Sequence, residues 1–289
     1  ALERFPSELK SHLDKSFASY PAGNLLWAIQ ALNENDKRTA FLSIWEKVSS
    51  QDLDGETFVA IASMLNSPDV FEAVKPTFQN PAKAENLIIH ALANQSRVQS
   101  KKLTEMLTPL VAELLKTPNT TSLGLQAVSR FNIASLSSTV RKITAPDNKP
   151  DILRQLLAAQ AITPELNTAN FIKVAENKSQ PFDLRTEAIS ALAPADQPSA
   201  QRLTNALLTE ASASQKSQLT DLLSQSQAGG QTLLASLDSK TLEPDTFSLS
   251  AAERLSQTFP NHPAAKKVIT NARQRVAKQR QQAQAKIHK

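Results

Sequence analysis

The chain has 289 residues and no cysteine. It therefore carries no disulfide, no zinc–thiolate site, no cysteine nucleophile and no covalent c-type haem attachment. The same absence leaves the compartment open, because a thiol-free chain is stable in either redox environment. Glycine is nearly as scarce, with five in the whole chain. Gly-rich phosphate loops and turn-dense β architectures need more. Aromatics make up 5%, with one Tyr and two Trp, whereas sheets draw on aromatic and β-branched side chains. No apolar run approaches the roughly 18 residues of a membrane span. G-x-S-x-G, Walker A, H-E-x-x-H and dinucleotide fingerprints are all missing. The chain opens at Ala1 with neither an initiator Met nor an apolar signal segment, so it reads as a mature form or a piece of a longer protein.

What is present is Ala, Leu, Gln, Ser, Lys and Glu, the residues of helices. The expectation is an all-α protein. Apolar clusters at helical spacing recur throughout, separated by short polar breaks. Eight segments are predicted as second helices of helix pairs: 24–33, 55–66, 82–94, 119–131, 148–161, 182–193, 213–225 and 244–258. Each has a late apolar anchor, in turn Leu32, Leu65, Leu92, Val128, Leu157, Leu192, Leu223 and Leu255. The anchors recur every 27 to 36 residues, about the length of a two-helix repeat.

The breaks carry helix-boundary chemistry. Ser67-Pro68, Asn80-Pro81 and Thr163-Pro164 pair a capping side chain with proline at the first helical position, where its missing N–H is no loss. Asn33 to Asp36, Asn94-Gln95-Ser96 and the stretch 225–230 read as polar turns. Pro76 and Pro109 fall inside apolar stripes and are expected to kink or end their helices.

The run Asp183-Leu184-Arg185-Thr186-Glu187-Ala188-Ile189-Ser190-Ala191-Leu192 resembles the second helix of a HEAT repeat. Asp151-Ile152-Leu153-Arg154 and the Leu-Leu-Ala-Ala near it form a weaker copy. The resemblance implies a right-handed α-solenoid of about eight HEAT-like helix pairs over residues 1–263. Stacking then buries apolar faces that no single pair can bury alone. Arg154, Arg185 and Lys216 follow each other at intervals of 31. They are candidates for one ladder of cations on equivalent positions, paired with neighbouring acids.

Charge is segregated. Residues 264–289 hold eight Lys/Arg and no acid. The other 24 Lys/Arg face 27 Asp/Glu, so the body is at net −3. The tail lacks Gly and Pro and is predicted as a long basic helix or linker, with a thin stripe of Val268, Ala272, Val276, Ala283 and Ile287. Lys266, Lys267, Arg273, Arg275, Lys278, Arg280 and Lys286 are its candidate anion- or partner-binding residues. A nucleic-acid backbone, an anionic membrane surface or an acidic protein would suit it, as would a solvated linker role.

No metal ligand set is expected from His12, His90, His262 and His288, of which no two sit at i, i+4. Trp27, Trp45 and Phe41 are assigned to packing rather than to a ligand lining. The junction Phe259-Pro260-Asn261-His262-Pro263-Ala264-Ala265 looks like the end of the helical-repeat region in large exported dehydrogenase-like proteins. Those carry a β-propeller before such repeats and a CxxCH haem-binding domain of the PVC type after them. The haem motif is absent here, so the resemblance implies a spacer module without cofactor. The function expected is a non-catalytic scaffold or protein-interaction module of a larger exported protein, with a cytoplasmic location left open. Its partners would be proteins or neighbouring domains of the same polypeptide. Two alternatives stand beside it: nucleic-acid binding through the tail and concave face, and a HEAT-like DNA glycosylase. The second needs a cationic, aromatic concavity that this composition does not favour.

Overall fold

A computed structural model describes residues 34–49, 53–144 and 149–287, together with Leu25, Leu26, Ile29 and Leu32. Among the described residues there are sixteen α-helices with defined bounds and no strand. The chain divides into two compact units, Ala1–Lys142 and Ile143–Lys289.

The first unit contains α1 (Glu34–Ser49), α2 (Gly55–Met64), α3 (Pro68–Phe78), α4 (Ala84–Ala93), α5 (Gln95–Val98), α6 (Lys101–Leu114), α7 (Thr121–Phe131) and α8 (Ser137–Val140). Its longer helices form two layers. In one, α1 packs on α3 and α3 on α6; in the other, α2 packs on α4 and α4 on α7. Trp45 is buried, stacks on Phe41 at 5.3 Å and donates its indole N–H to the Ala73 carbonyl at 2.8 Å. That bond fixes α1 on α3. Trp27 lies outside the described residues.

The second unit contains α9 (Pro150–Gln160), α10 (Thr168–Glu176), α11 (Phe182–Leu192), α12 (Gln197–Glu210), α13 (Ala213–Leu223), α14 (Gln227–Asp238), α15 (Leu249–Thr258) and α16 (Pro263–Ile287). Here α9, α11, α13 and α15 pack in succession, as do α10, α12, α14 and α16. The helices α2, α4, α7, α9, α11, α13 and α15 fall on seven of the eight segments predicted as second helices. The eighth, 24–33, lies mostly outside the described residues. Six of the anchors inside described helices or at their ends are buried, Leu65, Val128, Leu157, Leu192, Leu223 and Leu255. Leu92 is half-exposed, and in its helix Leu87, Ile88 and Ala91 face inward instead.

Several breaks differ from expectation for local reasons. Of the three Pro-preceding caps only Asn80 makes its bond, to the Ala82 amide; Ser67 and Thr163 make none. The working caps are Asp54, Ser100, Asp196, Ser212, Ser226 and Ser248, each accepting from an amide three residues on. Helices α3 and α6 run through Pro76 and Pro109. The expected turn at 225–230 ends early, because α14 begins at Gln227 and takes in Gly229 and Gly230, both buried. Of Asn94-Gln95-Ser96, expected as a turn, Gln95 and Ser96 are already the first residues of the single-turn helix α5. Asn132 closes α7 in the left-handed region, at φ 53°, a role asparagine fills almost as readily as glycine.

Candidate functional site

The basic helix α16 is two different structures end to end. Its first half packs on α14, α15 and the 3₁₀ turn Pro244–Thr246. Ala265, Val268 and Ala272 are buried there. Arg275, expected as a partner-binding cation, is instead turned onto the body and donates to the carbonyls of Asp245 and Phe247. Asn271 donates to the Asp245 carboxylate at 3.0 Å. Lys266, Lys267 and Arg273 are exposed on the outer side. From Ala277 to Gln284 every residue is exposed, including Lys278 and Arg280. The Lys286 side chain lies outside the described residues. The stripe therefore divides as well: Val268 and Ala272 are buried, Val276 is half-exposed and Ala283 is exposed. Ile287 has no described side chain. At the base of the docked half a cleft of about 530 Å³ lies between α13, the Pro244 turn and α16. Lys216 and Arg275 line it beside Asp245, Ser217, Phe247 and Val276.

The three ladder candidates are not brought onto one row. Arg154 is the fifth residue of α9, while Arg185 and Lys216 are the fourth residues of α11 and α13. One residue is a rotation of about 100° on a helix, and the environments differ accordingly. Arg154 is half-exposed and bridges to α11, the next helix in the row α9, α11, α13 and α15. Its Nε donates to both Glu187 oxygens at 2.9 and 3.0 Å, and its terminal nitrogens meet Asp183 at 2.6 Å and Asp151 at 3.5 Å. Burial pulls the guanidinium down, but the bond and charge of Glu187 outweigh it and hold the group more firmly protonated. Burial pushes the Glu187 carboxyl above its usual range, and the Arg154 bond offsets this only in part.

Arg185 is buried. Its Nε donates to the Ala175 carbonyl at 2.8 Å and a terminal nitrogen meets Glu210 at 2.6 Å, so one side chain ties α10, α11 and α12 together. Lys178 also reaches Glu210, at 3.1 Å. The Lys178 hydrogen bond first, and the Arg185 bond second, hold the Glu210 carboxyl below the usual range. A depressed folded pKa stabilises the fold above the unfolded value, and that stabilisation is lost as pH falls through the folded value. Glu210→Gln should therefore cost about 1–3 kcal/mol at neutral pH, because the buried guanidinium exchanges a charged partner for a neutral amide oxygen. Urea titrations at pH 7 and pH 3 check this. The difference between wild type and variant should shrink at the lower pH, and an equal difference at both would refute the linkage.

A second cation bridge joins α15 to α13. Arg254 donates to the Asp221 carbonyl and carboxylate, at 3.2 and 3.4 Å, and to the Ser224 hydroxyl. Ser248 adds a 2.5 Å bond to Asp221. Sequence reading missed this bridge because Arg254 pairs backwards along the chain, to an acid 33 residues earlier.

No protein-family model, curated protein sequence or solved structure matches the chain. Its residues carry the reading alone. Among the described residues no group of three metal-binding side chains comes together. His262 lies 3.6 Å from Asp238, and His90 is half-exposed on α4. His12 and His288 lie outside the described residues. No helix among them is long and apolar enough to cross a membrane.

One further cavity crosses the second layer. A groove of about 310 Å³ runs over α9, α11 and α13, walled by Leu157, Ala158, Ala161, Ala191, Pro194 and Leu222. Arg154 and Glu187 complete its lining. Small residues keep the wall low at Ala158, Ala161 and Ala191, where larger ones would fill the trough.

Proposed function

We propose that this chain is a non-catalytic scaffold and protein-interaction module, each unit a stretch of right-handed α-solenoid with about eight HEAT-like pairs in all. It serves as a spacer within a larger exported protein. The observation that carries this is where the charge of the second layer goes. Arg154 binds Asp183 and Glu187 on the next helix, and Arg254 binds Asp221 on the previous one. Such pairs hold neighbouring helices in register, which is the work of a scaffold. The docked half of α16 also supports it, since it packs on α14 as α14 packs on α12 and α12 on α10.

Nucleic-acid binding is the second reading, favoured by the exposed, acid-free cations Lys278 and Arg280. A DNA titration at physiological salt separates the two. The scaffold reading expects generic attraction only, with a Kd of roughly 10⁻⁴–10⁻⁶ M, no sequence preference and a steep loss with salt. Truncation should follow Val276 rather than Pro263, because Ala265, Val268, Ala272 and Arg275 are packed on the body. The shortened chain keeps Lys266, Lys267 and Arg273, so its weak binding should fall and its salt dependence should flatten as the cations beyond Val276 are removed. Tight, sequence-selective binding that survives the cut would move the function to the helical body.

A further inference from the structure

We propose that the groove over α9, α11 and α13 is a docking slot for a partner-protein segment that presents an apolar side chain next to a lysine or arginine. This rests on the interaction-module reading and names the chemistry of the partner. The first ground is shape. The trough crosses three successive helices, and its volume of about 310 Å³ stands at the small end of ligand sites. That suits one or two inserted side chains of a peptide rather than a large cofactor.

The second ground is charge complementarity. Arg154 is the one cation of its cluster and meets three carboxylates, Asp151, Asp183 and Glu187. Two negative charges are left over. Glu187 is fully engaged through both oxygens. The surplus is shared by Asp151 and Asp183, which stand about one turn before the groove residues Arg154 and Glu187, outside the groove's lining, and whose side chains are 90% and 58% exposed. They can accept hydrogen bonds from an arriving cation while the Arg154–Glu187 pair stays in place. The same surplus repels a phosphate backbone, so the occupant is a protein and not a nucleic acid. Apolar anchors seated in a pocket with a charged rim are the usual carriers of interface energy, and a cation partly shielded by such walls is attracted more strongly than one in open water.

The test is selection from a phage-displayed random peptide library on the intact chain. Calorimetry then follows the selected peptides on wild type and two variants. Selected sequences should share a Lys or Arg beside Leu, Ile, Met or Val. Ala158→Arg changes an exposed position and places a bulky cation in the slot; it should weaken binding by about tenfold or more. The double variant Asp151→Asn/Asp183→Asn should weaken it by a similar factor, while Asp183→Glu alone should retain it. Both weakened variants should melt within a few degrees of wild type, which separates docking from folding. Peptides that bind Ala158→Arg as well as wild type would overturn the slot and leave the interaction reading standing. So would a consensus rich in acids, or a library that yields no binder. Absence of any binder combined with tight, sequence-selective DNA binding would remove both.

Discussion

Leu192→Ala should lower the unfolding free energy by about 2–5 kcal/mol, the range for truncating a large side chain in a packed interior. Leu192 is fully buried and ends α11, the helix that packs on α9, α10, α12 and α13. A void there opens in an interior position that solvent does not reach. Urea unfolding followed by circular dichroism gives the number. A loss below about 0.5 kcal/mol, the level of ordinary surface changes, would show that the second-layer register is wrong. Coupling in stacked repeats is to nearest neighbours, so the transition should also broaden, α9 and α13 losing support before the helices beyond them.

Gly229→Ala should be the most damaging glycine-to-alanine change among the described residues. A β-carbon at Gly229 would stand 2.2 Å from the Leu223 carbonyl oxygen and 3.0 Å from its carbonyl carbon and α-carbon. Those are backbone atoms at the end of α13, so relief requires moving a helix rather than a rotamer. Overpacking of this kind costs about 1–3 kcal/mol or more, against the roughly 0.5–1 kcal/mol that alanine otherwise contributes inside a helix. Gly55→Ala is the control. Its nearest neighbours would be His90 Nδ1 at 3.5 Å and Asn94 Nδ2 at 3.6 Å, which is ordinary contact. That substitution should be neutral or stabilise by about 0.4–1 kcal/mol through the unfolded chain. Thermal melts should show a clear drop for Gly229→Ala and none for Gly55→Ala, and a Gly229→Ala melt at or above wild type would refute the close crossing at Leu223.

The pair of glycines also shows why the stretch 225–230 was misjudged. Gly-Gly is normally a turn signal, and nothing local says that Leu223 will return to press on position 229. The inward helix faces are legible, because buried positions such as Leu157, Leu192 and Leu223 follow from helical periodicity, and each sits late in its own helix. Leu92 was misplaced for the opposite reason: Ile88, Ile89, Ala91 and Leu92 are all apolar, so the pattern does not choose between two rotations of α4. In the candidate site, the Arg154 bridge was foreseen as a type of interaction. Its partners depend on a one-residue offset between α9 and α11 that an interval of 31 conceals. The groove was not legible, since alanine is equally suited to close helix packing and to an open trough. Arg275 was counted among the solvent-facing cations because composition cannot tell a docked half of a helix from a projecting one.

That division of α16 ties two remote places together thermodynamically. A helix of about a dozen residues is marginal in water, since its first turn fixes several residues for a single hydrogen bond. In α16 the first turns are formed on the body, through Ala265, Val268, Ala272 and the Arg275 bonds to the Asp245–Phe247 turn. Residues beyond Val276 only extend a helix that already exists. Their order is therefore borrowed from the Pro244 turn, and the loan runs both ways. A ligand that grips the projecting arm strengthens the turn beneath it by the same free energy with which the turn orders the arm.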